Sequence, residues 1–128
     1  MDPLFLDLEE VLAIHTDQIE RYGGRLGVRD LGALQSAIAM PAAGIGDTYF
    51  HTDIQAMSAA YLYHIVRGHP FVDGNKRAGS VAAIVFLAMN GVDLDADEAE
   101  FEALVLRAAR GEVEKPEVAA FLRSASSS

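Results

Sequence analysis

Cysteine is absent from the 128 residues, which excludes disulfides and thiolate zinc sites and suits a reducing compartment. Cations are scarce: ten Lys and Arg stand against 19 Asp and Glu, a formal charge of −9. Affinity for a polyanion comes chiefly from cations that neutralise phosphates, so this balance argues against a general nucleic-acid binder. No apolar run is long enough to span a bilayer, and no basic stretch leads into an apolar one with a cleavage site. A soluble, cytoplasmic protein is expected. Repeats of solenoid length and interdomain linkers are missing too, while 51% apolar residues suffice for one core. We therefore expect a single domain over residues 1–128, with a serine-rich tail, 124–128, that is frayed.

Against this scarcity, three of the ten cations fall between positions 67 and 77. Residues 67–91 read RGHPFVDGNKRAGSVAAIVFLAMNG, a polar loop feeding an almost wholly apolar helix. Every residue from 81 to 89 is apolar, which predicts a central helix over 75–90 with no solvent face, ended by Gly91. Arg67, His69, Asp73, Asn75, Lys76 and Arg77 crowd the entrance to this rigid mount. Building a core requires no such crowding, so it marks a site.

The remaining segments read as helices. Asp7 and Glu10 form a capping-box pattern before a helix that reaches Tyr22 and stops at Gly23 and Gly24. His15 within it reads as an ordinary, partly buried histidine. A second helix is expected over 30–40, stopped by Pro41, and a loop over 41–51 that either covers the site or merely tethers. A third helix is predicted over 53–67, with Thr52 or Asp53 as cap, Gly68 as C-cap, and His64 as a cation in the last turn. The acidic run over 93–102 lacks the glycine and ligand spacing of a calcium loop, so Asp95 or Asp97 is expected to cap a fifth helix to Arg110. Pro116 suits the first turn of a sixth helix reaching about Leu122. The expected fold is all-α, five to six helices enclosing one hydrophobic helix.

A loop ending at a helix N-terminus aims unbonded N–H groups outward, and Lys76 and Arg77 add full charges to this anion nest. Gly74 lets a ligand approach the backbone closely. Asp73 beside bound phosphates is a hard-oxygen ligand suited to Mg²⁺. His69 supplies an imidazole that can take a proton from a hydroxyl. Together these describe phosphoryl or nucleotidyl transfer. The chain has no phosphate-binding P-loop pattern, no kinase catalytic loop, no H-E-x-x-H and no adjacent His-Asp pair.

At this point HPFVDGNKR, residues 69–77, resembles the signature of the Fic/Doc family. The Fic branch reads H-x-F-x-D/E-G-N-G-R-x-x-R, whereas the Doc branch reads H-x-F-x-D/N-A/G-N-K-R, and Lys76 places the chain with Doc. EEVLAIHTDQIERYGG, GVRDLGALQSAIAMP and the helix after the motif are similar to Doc-type toxins as well. The resemblance implies an all-helical Fido fold and the toxin half of a toxin–antitoxin pair. It implies transfer of the γ-phosphate of ATP to a threonine of elongation factor Tu, with AMP transfer to a protein hydroxyl as the Fic alternative and a silent antitoxin-binding module as another. By position it makes His69 the base, Asp73 the Mg²⁺ ligand, and Gly74, Asn75, Lys76 and Arg77 the holders of nucleotide phosphate. Arg67 matches a basic residue that Doc also carries. The last arginine of the Fic pattern falls on Ser80, which weakens AMP transfer. The nearest match to a self-inhibitory S/T-x-x-x-E-G/N helix, from Thr16 to Glu20, is followed by Arg21, so restraint by a separate Phd-like antitoxin is expected.

Overall fold

Asp7 accepts from the Glu10 amide at 2.8 Å and Glu10 returns a bond to the Asp7 amide at 3.1 Å, so the capping box starts α1 (Leu8–Tyr22) where the sequence places it. This computed structural model describes residues 2–127. Asp30, Asp53 and Asp97 each accept from the amide three residues on, and so start α2 (Leu31–Ala39), α3 (Ile54–Gly68) and α5 (Glu98–Ala109). Between α3 and α5 runs α4 (Asn75–Met89), and α6 (Lys115–Ser124) carries Pro116 in its first turn. The six α-helices bear out the all-helical expectation.

Several boundaries differ from expectation for local reasons. α2 ends at Ala39, just short of Pro41 as expected, but a single 3-10 turn, Met40–Ala42, follows it directly and holds Pro41 where its missing N–H costs nothing. The loop that follows folds into a two-stranded hairpin, β1 (Gly44–Ile45) with β2 (Thr48–Tyr49). Tyr49 anchors it on Phe5, with ring centroids 5.8 Å apart. Ser124 closes α6, and β4 (Ser126–Ser127) pairs with β3 (Asp93–Leu94), so the described tail is tied to the end of α4 rather than frayed. Ser128 lies outside the described residues.

The most enclosed helix is α3 rather than α4: it packs on α2, α4, α5, α6 and the 3-10 turn, with Gln55, Tyr63 and His64 left partly open. Its Ala59, Leu62 and Val66 join α4, α5 and α6 in one apolar cluster, while Met57, Tyr61 and Ile65 join α1, α2 and the N-terminal segment in another. Inside the second cluster the Tyr61 hydroxyl donates to Leu6 O at 3.2 Å, and burial pushes its pKa up to about 12. The apolar run of α4 does not hide the whole helix. Ala78, Ala82, Ala83, Phe86 and Leu87 are buried, but Ile84 is 40% exposed and Ala88 lies at the surface. Small residues let α4 approach α3 closely on one side and leave an apolar stripe open on the other. Its N-terminus remains a rigid mount because one whole face is locked against α3.

Candidate active site

The loop between α3 and α4 begins with a left-handed residue. His69, not Gly68, is the C-cap of α3, at φ 47 and ψ 52, the sole non-glycine with positive φ among the described residues. That conformation costs an L-residue roughly 1–2 kcal/mol, so the surroundings must impose it. Arg29 does so from the α1–α2 loop: its Nε donates to His69 O at 2.6 Å and its Nη2 to Gly68 O at 3.1 Å. The amides of Arg29 and Asp30 both donate to Pro70 O, and the Val72 amide donates to Gly27 O at 3.0 Å. Val28 and Phe71 bridge in antiparallel fashion between these bonds. The left-handed turn brings the exposed imidazole back over the start of α4, with Nδ1 at 3.4 Å from Asn75 Nδ2. That distance exceeds an ordinary N–H···N bond, so the contact orients the ring without fixing its tautomer.

Asp73 is held on three sides. Its Oδ2 accepts from the Arg25 amide at 3.1 Å, its Oδ1 from the Gly74 amide at 2.9 Å, and its carbonyl from His15 Nε2 at 2.7 Å. Because a carbonyl only accepts, the His15 proton sits on Nε2. The His15 ring, 3% exposed, stacks on buried Phe71 at 3.8 Å between centroids and 3° between planes. His15 is thus a brace for the loop, a role that the bland reading of it as a buried histidine missed. The Arg25 and Gly74 amides, followed by the charges of Arg77 and Arg25, hold the Asp73 carboxyl below its usual range. It is ionised at neutral pH.

Beyond Asp73 the chain enters α4 through Gly74, the N-cap, at φ 76 and ψ 22 with no side-chain cap. The first amide of α4 to bond within the chain is that of Ala78, to Gly74 O at 2.9 Å, which leaves the amides of Asn75, Lys76 and Arg77 pointing out of the helix end. Gly74 itself is spent on Asp73, so the backbone donors of the nest are the next three residues. The Asn75 side chain is buried and turned inward: Oδ1 accepts from the Phe71 amide at 2.9 Å and Nδ2 donates to Phe71 O at 3.0 Å. It shapes the loop rather than facing outward, so any contact with phosphate falls to its amide. Lys76 is exposed beside the nest. Arg77 Nη1 donates to Gly23 O at 2.9 Å and Gln18 O at 3.2 Å, tying the end of α1 to the site. Its Nη2 lies next to Gly24 and Gly74.

The structure therefore brings His69, Asp73, Gly74, Asn75, Lys76 and Arg77 together. It does not bring Arg67, whose Nη1 donates to Ala109 O at 3.3 Å and lies over Gly111 at the end of α5. His64 departs from expectation as well. Burial, then the charges of Lys115 and His51, pushes its pKa down to about 4, so it is a neutral acceptor for Lys115 Nζ at 2.9 Å and not a cation for the α3 dipole. Sequence reasoning missed Arg29, Gly24 and the Arg25 amide. The available signal was the cluster of Gly23, Gly24 and Gly27, which reads as a helix stop and a turn but in fact lets one loop lie against another.

An ionised carboxylate, three outward amides, two cations and an imidazole at one helix end can bind phosphates and a hard cation, and can move a proton beside them. A sequence model described as the Fic/DOC family matches residues 5–87. The chain is 39% identical over 115 residues to "Protein kinase doc" of Escherichia phage P1, an alignment that covers 90% of each. It is 42% identical over 93 residues to "Toxin Doc" of Mycolicibacterium smegmatis, covering 73% of this chain and 69% of that one. With the family match spanning more than half its length and a relative this similar covering nearly all of it, the chain belongs to the Fic/Doc family, on the Doc branch.

Proposed function

We propose that this protein is a toxin that transfers the γ-phosphate of ATP to a threonine hydroxyl of elongation factor Tu, stopping translation, and that a Phd-like antitoxin restrains it. The observation that carries the reading is the α4 N-terminus, with the Asn75, Lys76 and Arg77 amides unbonded and Asp73, Lys76 and the His69 imidazole beside them. The name "Protein kinase doc" of the phage P1 relative supports the transferred group.

In this reading the outward amides, Lys76 and Arg77 Nη2 bind the phosphate oxygens of ATP. His69 Nε2 takes the proton of the threonine hydroxyl as its oxygen attacks the γ-phosphorus. The bond to the β–γ bridging oxygen breaks, and the cations and amides hold the charge that builds on the departing ADP. No group of three or more metal-ligating side chains occurs among the described residues. A single ionised carboxylate completed by phosphates and water is the donor set that Mg²⁺ accepts, which fits Asp73. Magnesium held there would neutralise phosphate charge. Asn75 and Arg29 keep the loop in shape while these groups act.

Ser80 stands where AMP-transferring relatives have an arginine, and its Oγ donates to Lys76 O at 2.7 Å inside the helix, leaving one phosphate clamp fewer. Incubation of the protein with elongation factor Tu and γ-labelled or α-labelled ATP separates the two reactions. Label on the target from γ-ATP alone is expected, with His69→Ala slower by about 10²–10⁴-fold. Label from α-ATP alone would overturn the kinase assignment.

A further inference from the structure

The chain has two lysines, Lys76 at the site and Lys115 at the first turn of α6. Lys115 is half-buried, and its Nζ donates to His64 Nε2 on α3 at 2.9 Å. Neither of the ion pairs within 4.0 Å among the described residues includes it. The carboxylates of its own helix are turned elsewhere: Glu114 Oε2 accepts from the Tyr63 hydroxyl at 3.1 Å, and Glu117 Oε1 accepts from the Glu114 amide at 3.2 Å. From the loop ahead of α3, His51 stands close enough for the Lys115 charge to act on it. An ammonium here has imidazoles where lysines ordinarily have carboxylates.

Two features oppose a positive charge on this nitrogen: it is partly withdrawn from water, and it lies at the positive end of the α6 dipole with no carboxylate paired to it among the described residues. A lysine freed of its proton is a nucleophile.

We propose that Lys115 Nζ is an acylation site that takes activated acyl groups, from acyl phosphates or acyl thioesters. The amine lone pair attacks the acyl carbonyl carbon and a C–N bond forms. The C–O or C–S bond breaks, its electron pair leaving on phosphate or thiolate. One proton departs from the nitrogen to solvent, and the remaining amide N–H still donates to His64 Nε2. The product has lost the charge that bears on His64 and His51.

A short unstructured peptide with a single lysine provides the reference, because Lys76 lies in the phosphate nest. The folded protein and the peptide are treated together near neutral pH with limiting acetyl phosphate in one arm and a small acetyl thioester in the other, and mass mapping follows Lys115 and the peptide lysine. Lys115 is expected to be acetylated severalfold faster than the peptide lysine in the folded chain, and at a similar rate in urea, where the surroundings are lost. The faster arm identifies the acyl source. In His64→Glu, which sets a carboxylate against the nitrogen and holds its proton, the preference should shrink. Equal or slower reaction at Lys115 in the folded chain, or a preference that survives urea, would overturn the assignment whether or not the variant folds.

Discussion

Asp73 owes its ionised, oriented state to groups distant in sequence: the Arg25 amide lies 48 residues away and His15 lies 58 away. Gly24 makes the first of these possible. At φ +118 it lets the α1–α2 loop come so close that a Cβ would stand 2.7 Å from Asp73 Oδ2. Gly24→Ala is expected to cost about 1 kcal/mol through the backbone, because alanine disfavours positive φ. It should also push the carboxylate off the Arg25 amide and, on the proposed function, lower affinity for Mg²⁺ with nucleotide by roughly 10–100-fold, as loss of a supporting shell does. Gly23→Ala is the control, at φ +84 with nothing within 4 Å of its Cβ: titration calorimetry should show the metal loss only at position 24. The motif residues themselves were legible in the sequence, because they are contiguous and chemically unlike anything a core needs. Their supports were not. Arg29, His15 and Gly24 reach the loop from α1 and the α1–α2 loop, and nothing in their local pattern says which backbone they will meet.

Helix starts were legible because a cap is a local event, three residues long: Asp7, Asp30, Asp53 and Asp97 all accept from the amide that a cap should satisfy. The place of each helix in the core was harder to read. An apolar run says that a helix is buried somewhere, but not that small residues crowd one side. Gly79 marks that side, since a Cβ there would lie 2.8 Å from Val66 Cγ2 and 3.2 Å from Leu62 O. Close to it, Ser58 Oγ donates to Ala83 O at 2.9 Å and pins the same crossing of α3 on α4. Gly79→Val should therefore overpack the crossing and cost about 1–3 kcal/mol, read as a lower urea midpoint. The same residue introduced at exposed Ala88 should cost about 0.5 kcal/mol, from helix propensity alone. Equal losses at the two positions would mean that α4 does not meet α3 face-on. The hairpin and the short β3–β4 pair lay beyond sequence reading for a further reason. Two-residue strands carry no period, and β4 forms by reaching back to Asp93 and Leu94, far away in sequence.

For the whole molecule, pH sets two effects against each other. Acid protonates carboxylates, shrinks the formal charge of −9 and relieves self-repulsion, which favours the folded chain. Against this stands His64, enclosed by Lys115 of α6, His51 of the preceding loop and Tyr63 of its own helix, with its pKa pushed from 6.5 down to about 4 by burial first and the neighbouring charges second. Between those two values the unfolded chain holds a proton that the folded chain lacks. Stability from this group therefore rises with pH across the window, is complete above about 6.5, and is lost as pH falls toward about 4. His51, lowered by burial and then by Lys115, acts with the same sign. Asp73, lowered by its amide partners, adds loss only at lower pH, below the ordinary carboxylate value of 3.8. At about 1.4 kcal/mol per pKa unit, and discounted because His64 is half exposed, its share is on the order of 1–2 kcal/mol. Urea denaturation at neutral pH and again near pH 4.5 should show this fall in the wild type. His64→Gln, which cannot take the proton in either state, should lose less between the two conditions. An identical fall in both proteins would place the acid sensitivity outside the cluster at α3 and α6.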